Sequence, residues 1–305
     1  MYYLLILRVG EFKLLIQNYM VSEQIGESFT FHLRNIALLS FDSDSDYEDI
    51  ISPFSRIYFI TSGSGYLIIG NRKIVLEAGN LYLIPGFISC TYHFGAGLSH
   101  YYIHFSIDQP TGLSAYSLYS INYKTPSSDL DRNLITRILE INPDLQLPHH
   151  HPNIYQNKLW MNKKVTYKTV GQHLETIGIL KQLFSRFLES DQSQAINSLL
   201  KYNIQPILLF IQNNLERDIS VDQLAGIACI SKDHFSRIFK KFIGMAPCEF
   251  IIRKRIEKAQ FLLLTTDMTQ DQIIERTNFK SDSYFCRVFK KYTTYTPANY
   301  RKQRG

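Results

Sequence analysis

The sequence predicts an α+β multidomain chain, with an all-β sandwich or barrel in the N-terminal half and an all-α C-terminal third. Three observations predict it. Short β-rich runs recur at about ten-residue spacing between Gly and Asn turns over residues 56–107. The apolar period then becomes helical from about residue 168 onward. Finally, one twenty-residue segment occurs twice, as SKDHFSRIFKKFIGMAPCEF from Ser231 and SDSYFCRVFKKYTTYTPANY from Ser281.

At 305 residues the chain has room for two domains, each able to bury a core. The expected organisation is an N-terminal extension at 1–25, outside the fold, and a regulatory domain at 26–165. A helical dimerisation and linker region at 166–200 and a C-terminal domain at 201–305 complete it. The opening MYYLLILRVGEFKLLI is interrupted by Arg8, Glu11 and Lys13, so no membrane helix or signal peptide is read there, and Met20 is a candidate start. Cys90, Cys229, Cys248 and Cys286 follow no metal or disulfide spacing, which fits reduced thiols in a cytoplasm.

In the N-terminal half, RIYFIT, YLIIG, KIVLEAGN, LYLIPG and HYYIHFSI read as strands. Residues 110–165 are poorly patterned, and His149, His150 and His151 read as a loop tract between prolines rather than a metal site. A helix follows, in which Val170, Leu174, Ile177, Leu180, Leu183, Phe184 and Leu188 share one stripe. It offers either a dimerisation surface or packing against the β half. A second helical run is interrupted at Pro206, and the domain boundary is placed near 190–204.

Charge is unevenly placed. Residues 1–200 carry net −2 and residues 201–305 net +8, which points the final third toward a polyanion or, failing that, toward a solubilising surface. Seven positions of the two copies are identical, among them Arg237/Arg287, Lys240/Lys290 and Lys241/Lys291. Each copy is preceded by a capping box, Ser220 with Gln223 and Thr269 with Gln272, so each reads as helix, tight turn, helix. Ser231 and Ser281 are candidate N-caps of the second helices. Phe235, Ile238, Phe239 and Phe242, with Phe285, Val288, Phe289 and Tyr292, form the buried faces and leave the basic residues outward. This is the layout of a helix-turn-helix that reads double-stranded DNA through the major groove. Between the copies, PCEFIIRKRIEKAQFLLL starts with Pro247 and aligns Ile252, Ile256, Ala259 and Leu263. As a helix it is about 27 Å long, a rod suited to two heads in adjacent grooves roughly 34 Å apart.

On this C-terminal text the chain resembles the AraC/XylS-type transcriptional regulators, whose DNA-binding domain is two helix-turn-helix units joined by a long helix. The resemblance covers about 100 residues. It implies base-facing positions at Asp233, Ser236 and Arg237 and at Asp282, Ser283, Cys286 and Arg287, with Lys240, Lys241, Lys290 and Lys291 on the same basic surface. The family commonly has Gly where this chain has Cys229, Asn278 and Thr294, and a β-branched Thr fits a left-handed turn poorly. More faintly, GSGYLIIGNRKIVLEAGNLYLIPG resembles the cupin-like (jelly-roll) sensor barrel of such regulators. The resemblance implies a pocket with Tyr92, His100 and Tyr102 for a sugar or other small polar organic effector. No histidine lies between Gly63 and Glu77, where metal-using cupins place an H-x-H pair, so no metal, no cofactor and no catalytic residues are expected.

The expected function is therefore a sequence-specific transcription regulator, an activator or a repressor, cytoplasmic and homodimeric. Its partners would be promoter DNA, a small effector and RNA polymerase, with no membrane. A cupin-type enzyme with a helical appendage and a non-specific nucleic-acid-binding protein remain the alternatives.

Overall fold

The structure, a computed structural model, describes residues 29–70, 72–108, 114–147, 149, 165–189, 204–243 and 245–302. The proposed extension, Met20, His150, His151 and most of the 190–204 boundary lie outside these residues.

Nine strands are present among the described residues: β1 (Thr30–Ser40), β2 (Ser45–Ile50), β3 (Ser55–Ser62), β4 (Ser64–Ile69), β5 (Arg72–Glu77), β6 (Asn80–Ile84), β7 (Cys90–Phe94), β8 (Ser99–Asp108) and β9 (Lys124–Pro126). They form two antiparallel sheets, β1-β8-β3-β6-β9 and β2-β7-β4-β5. The strand runs foreseen from Arg56 onward all appear, and their turns sit where glycine is needed. Gly63 joins β3 to β4 at φ +73°, and a Cβ there would stand 2.4 Å from the Leu98 backbone.

Side-chain alternation gives each sheet two faces. Tyr58, Ile60, Tyr82 and Ile84 of the larger sheet meet Leu67, Ile69, Cys90, Tyr92 and Phe94 of the smaller one, filling the space between them. The opposite face of the larger sheet carries Phe31, Leu33, Ile57, Phe59, Ile103 and Phe105. Those residues pack beneath helices α2 (Asp129–Ile141) and α3 (Val170–Ser185), which follow the short α1 (Ala115–Leu118).

Two helical expectations are corrected here. The segment 110–165 is not without pattern, because α2 is a 13-residue helix. Its capping box uses Asp131, whose buried carboxylate also accepts from Arg186 Nε at 3.2 Å. The stripe on α3, read as either a dimerisation surface or a packing face, divides between the two environments and ends earlier than foreseen. Ile179, Leu180, Leu183 and Phe184 are buried, whereas Val170 is 74% and Leu174 64% exposed. The helix also stops at Ser185, and Leu188 instead bridges Ile121.

The C-terminal part is all helix: α4 (Ile204–Asn213), α5 (Val221–Ile227), α6 (Lys232–Ile243), α7 (Pro247–Thr265), α8 (Gln270–Arg276), α9 (Asp282–Thr293) and α10 (Pro297–Lys302). Pro206 does not interrupt α4 but lies in its first turn, where an amide proton has no helical partner to lose. The 19 residues of α7 make a rod about 28 Å long. Ile256, Ala259 and Leu263 are buried along it, with Ile252 half-buried.

Candidate nucleic-acid interface

Both helix-turn-helix units are built by the same local rules. Ser220 Oγ accepts from the Gln223 amide at 3.1 Å while Gln223 Oε1 accepts from the Ser220 amide at 3.0 Å. Thr269 and Gln272 repeat the exchange ahead of α8 at 3.3 and 2.9 Å. Ser281 caps α9 by accepting from the Tyr284 amide at 3.3 Å. The turns that follow need left-handed backbone. Cys229, Asn278 and Thr294 take φ values of 54°, 50° and 68°, a region that glycine enters most readily.

Aromatic rings fix each second helix to its neighbour. Phe235 and Phe239 stand 5.5 Å apart, with Phe239 edge-on to Phe250 at 5.5 Å. In the second unit Phe285 and Phe289 stand 5.6 Å apart, with Phe289 edge-on to Tyr300 at 5.2 Å. Phe235, Phe239, Phe285 and Phe289 are essentially fully buried, each such burial stabilising by roughly 1.5–3 kcal/mol. This places the apolar stripe inward and, on roughly the opposite side of the helix, the basic edge outward.

Asp233, Arg237, Lys240 and Lys241 are exposed on α6, as are Asp282, Ser283, Arg287, Lys290 and Lys291 on α9. Ser236 and Cys286 are half-buried. Ser236 Oγ donates back to the Lys232 carbonyl at 2.9 Å. Burial, and secondarily Asp282, push the Cys286 thiol up, so it is uncharged near neutrality. Asp282 accepts from the Gln270 amide, tying α9 to α8. The Arg287 guanidinium lies over the Tyr284 ring at 5.4 Å, and Arg237 Nη2 is 3.4 Å from His234 Nδ1. Both arginines therefore project from the second helices at matching positions, each held by a residue one turn earlier.

The connection between the units is firmer than the sequence alone suggested. Arg255, midway along α7, donates Nε to the Leu215 carbonyl at 3.1 Å, Nη2 to the Arg217 carbonyl at 2.6 Å and Nη1 to the Asn278 carbonyl at 3.3 Å. One guanidinium thus ties the lead-in of the first unit to the turn of the second. Asp218 adds contacts to Lys280 Nζ at 2.8 Å and to Asn278 Nδ2 at 3.1 Å. Glu216 lies between Lys258 at 2.8 Å and Arg276 at 3.5 Å, and the Lys258 contact chiefly holds its carboxyl below the usual range. No single-residue pattern advertises this clasp, since its acceptors are backbone carbonyls about 20 and 40 positions away.

In the β half, Tyr92, His100 and Tyr102 lie close together. They line one cavity together with Leu39, Phe41, Tyr47, Tyr58, Phe94, His104 and Leu147. His100, Tyr102 and His104 share one face of β8, opposite Ile60, Tyr58 and Arg56 of β3. All three are 2–3% exposed, and the Tyr102 hydroxyl accepts from the Leu147 amide at 2.8 Å. The space among these side chains is about 30 Å³, enough for about two waters. A sugar-sized occupant enters only if Leu147 and the surrounding rings move apart. Burial, with Arg56, His100 and Arg34 adding to it, holds the His104 imidazole well below its ordinary value, so it is neutral at physiological pH. Among the described residues no group of three or more His, Cys, Asp or Glu is placed to hold a metal ion, and no helix is long and apolar enough to cross a membrane.

Residues 224–303 match a helix-turn-helix domain family. An uncharacterised helix-turn-helix regulator of Haemophilus influenzae is 36% identical over 95 residues, 31% of this chain and 32% of its own length, so the match spans about a third of that relative. The helix-turn-helix transcriptional activator AarP of Providencia stuartii is 36% identical over 98 residues, 32% of this chain and 73% of AarP. The Msm operon regulatory protein of Streptococcus mutans is 26% identical over 252 residues, 81% of this chain and 84% of the relative. With duplicated units, joining helix and capped turns all in place, the chain belongs to the AraC-type family of helix-turn-helix transcriptional regulators.

Proposed function

We propose that this protein is a sequence-specific transcription regulator that reads a promoter through α6 and α9. The observation that carries it is the pair of outward basic edges, Arg237-Lys240-Lys241 and Arg287-Lys290-Lys291, repeated on equivalent helices of one rigidly joined domain. Arg237 and Arg287 would pair with guanine edges in successive major grooves, while the four lysines meet phosphates. Ser236, Ser283 and Cys286 would border the same base edges. Asp233 and Asp282 would exclude some bases and accept from cytosine at others. Activation is the expected direction, since AarP is named as an activator, and contact with RNA polymerase would follow from it.

The β-sandwich would supply regulation by holding a small effector at Tyr92, His100 and Tyr102. The exposed Val170 and Leu174 of α3 would meet a second copy of the chain. The test is a selection of bound fragments from genomic DNA, followed by affinities for the selected and a scrambled duplex at fixed salt. A ratio of about 10³ or more is expected. Equal affinities would favour non-specific packaging instead.

A further inference from the structure

Arg56 is the residue that neither the fold nor the reading helices use. It sits on the inner face of β3, across from His104 of β8, and is 2% exposed. Its guanidinium lies between the Phe54 and Tyr92 rings, 5.3 and 5.2 Å from their centres. Nε and Nη2 are buried and have no hydrogen-bond partner among the described residues, carboxylates included. The nearby Cys90 thiol, pushed up to about 12 chiefly by burial, does not supply a counter-charge. The Tyr92 hydroxyl, at the wall shared with the cavity, is likewise buried without a partner among the described residues.

The unpartnered atoms are informative as a pair. Nε–H and Nη2–H form one edge of the guanidinium, with two parallel donors spaced for the two oxygens of a carboxylate. Elsewhere in this chain the same edge does this: Arg137 holds Glu175 with Nε to Oε1 at 2.6 Å and Nη2 to Oε2 at 3.0 Å. A buried cation is normally paired, and one left unpaired in a closed core opposes folding unless something else selects it.

We infer that the effector of the sandwich is a small carboxylate with an apolar or aromatic body, its carboxylate gripped by the Nε–Nη2 edge of Arg56 and assisted by the Tyr92 hydroxyl. The inference rests on the reading of the sandwich as an effector site and narrows its chemistry from a polar neutral molecule to an anion. The ring-lined cavity beside Tyr92 and His104 takes the body once Leu147 and the surrounding rings move apart, and one guanidinium edge sets the charge at −1.

Calorimetry on the full chain tests it with the sodium salts from acetate to octanoate, and benzoate, each against its primary amide. At least one acid is expected to bind about tenfold or more tighter than its amide. Arg56→Met should remove that preference, and Arg56→Lys, which keeps charge without the fork, should retain only part of it. Without ligand, Arg56→Met should melt at or above the wild-type temperature, because it removes an unpaired buried charge. A variant melting several degrees lower would make Arg56 a structural support and overturn the assignment. Equal binding of acid and amide, or acid binding that survives in folded Arg56→Met, would overturn the carboxylate and leave a site for neutral effectors. No heat with either series would overturn both.

Discussion

Lys290 and Lys291 end the exposed edge of α9, and replacing both with glutamine gives a quantity that the geometry fixes in advance. Each lysine that neutralises a phosphate contributes about 0.9 to the slope of log affinity against log salt. The double substitution should therefore flatten that slope by about 1.8. Between 50 and 200 mM salt the wild type should lose roughly 12-fold more affinity than the variant. Both side chains are exposed, so stability should move by no more than about 0.5 kcal/mol. Fluorescence anisotropy with a labelled random-sequence 30-base-pair duplex reads the slope directly. Lys181→Gln, exposed on α3 in the other half, is the control and should leave it unchanged. A double variant with the wild-type slope, or a control with a flattened one, would refute the placement of DNA against α9.

Removing the clasp with Arg255→Met strands three carbonyl acceptors and should lower stability by about 2–4 kcal/mol in urea titration; an unchanged midpoint would mean that the contacts are dispensable. Thr294→Gly relieves a left-handed β-branched residue, a cost of about 1–2 kcal/mol offset by about 0.5–1 for glycine's added freedom. The net should be a gain of about 0.5–1 kcal/mol, seen as a higher melting temperature of the 201–305 region within the full chain. His104 is held neutral by burial, so its folded value lies below that of the unfolded chain. The unfolded state then binds more protons, and stability should fall as pH drops below about 6.5, by up to about 1.4 kcal/mol per unit. Comparing urea midpoints at pH 7.5 and 5.5 should show a smaller fall for His104→Phe than for wild type.

What was legible follows from which signals are local. The repeat could be seen because aromatic spacing, capping boxes and basic edges all fall within about twenty residues of one another. The strands from Arg56 onward were legible because glycine turns punctuate unbroken apolar runs. β1 was not, since its register shifts between Leu33 and Asn35 and breaks the alternation that marks a strand. β2, written SDYEDI, is an acidic edge with little apolar signal. The helix α2 was missed because its capping box closes with Asp131 rather than a Glu or Gln, although Ile135 and Ile138 carried helical spacing. On α3 periodicity marks Val170 and Leu174 as apolar but cannot tell whether they meet the chain's own core, and Leu188 lies beyond the helix end at Ser185. Arg255 and Arg56 could not be singled out at all. One finds backbone carbonyls distant in sequence and the other leaves Nε and Nη2 without a partner among the described residues, and neither fact is written in its neighbours.

The central claim is that two heads on one 19-residue rod read two successive turns of the same face of DNA. Hydroxyl-radical footprinting of the full chain on a selected fragment tests it most directly, with Arg237→Ala and Arg287→Ala compared side by side. Two protected patches about one helical turn apart are expected, each variant relaxing base choice in a different patch by about 1–3 kcal/mol. A single patch, or both substitutions acting on the same bases, would contradict the account.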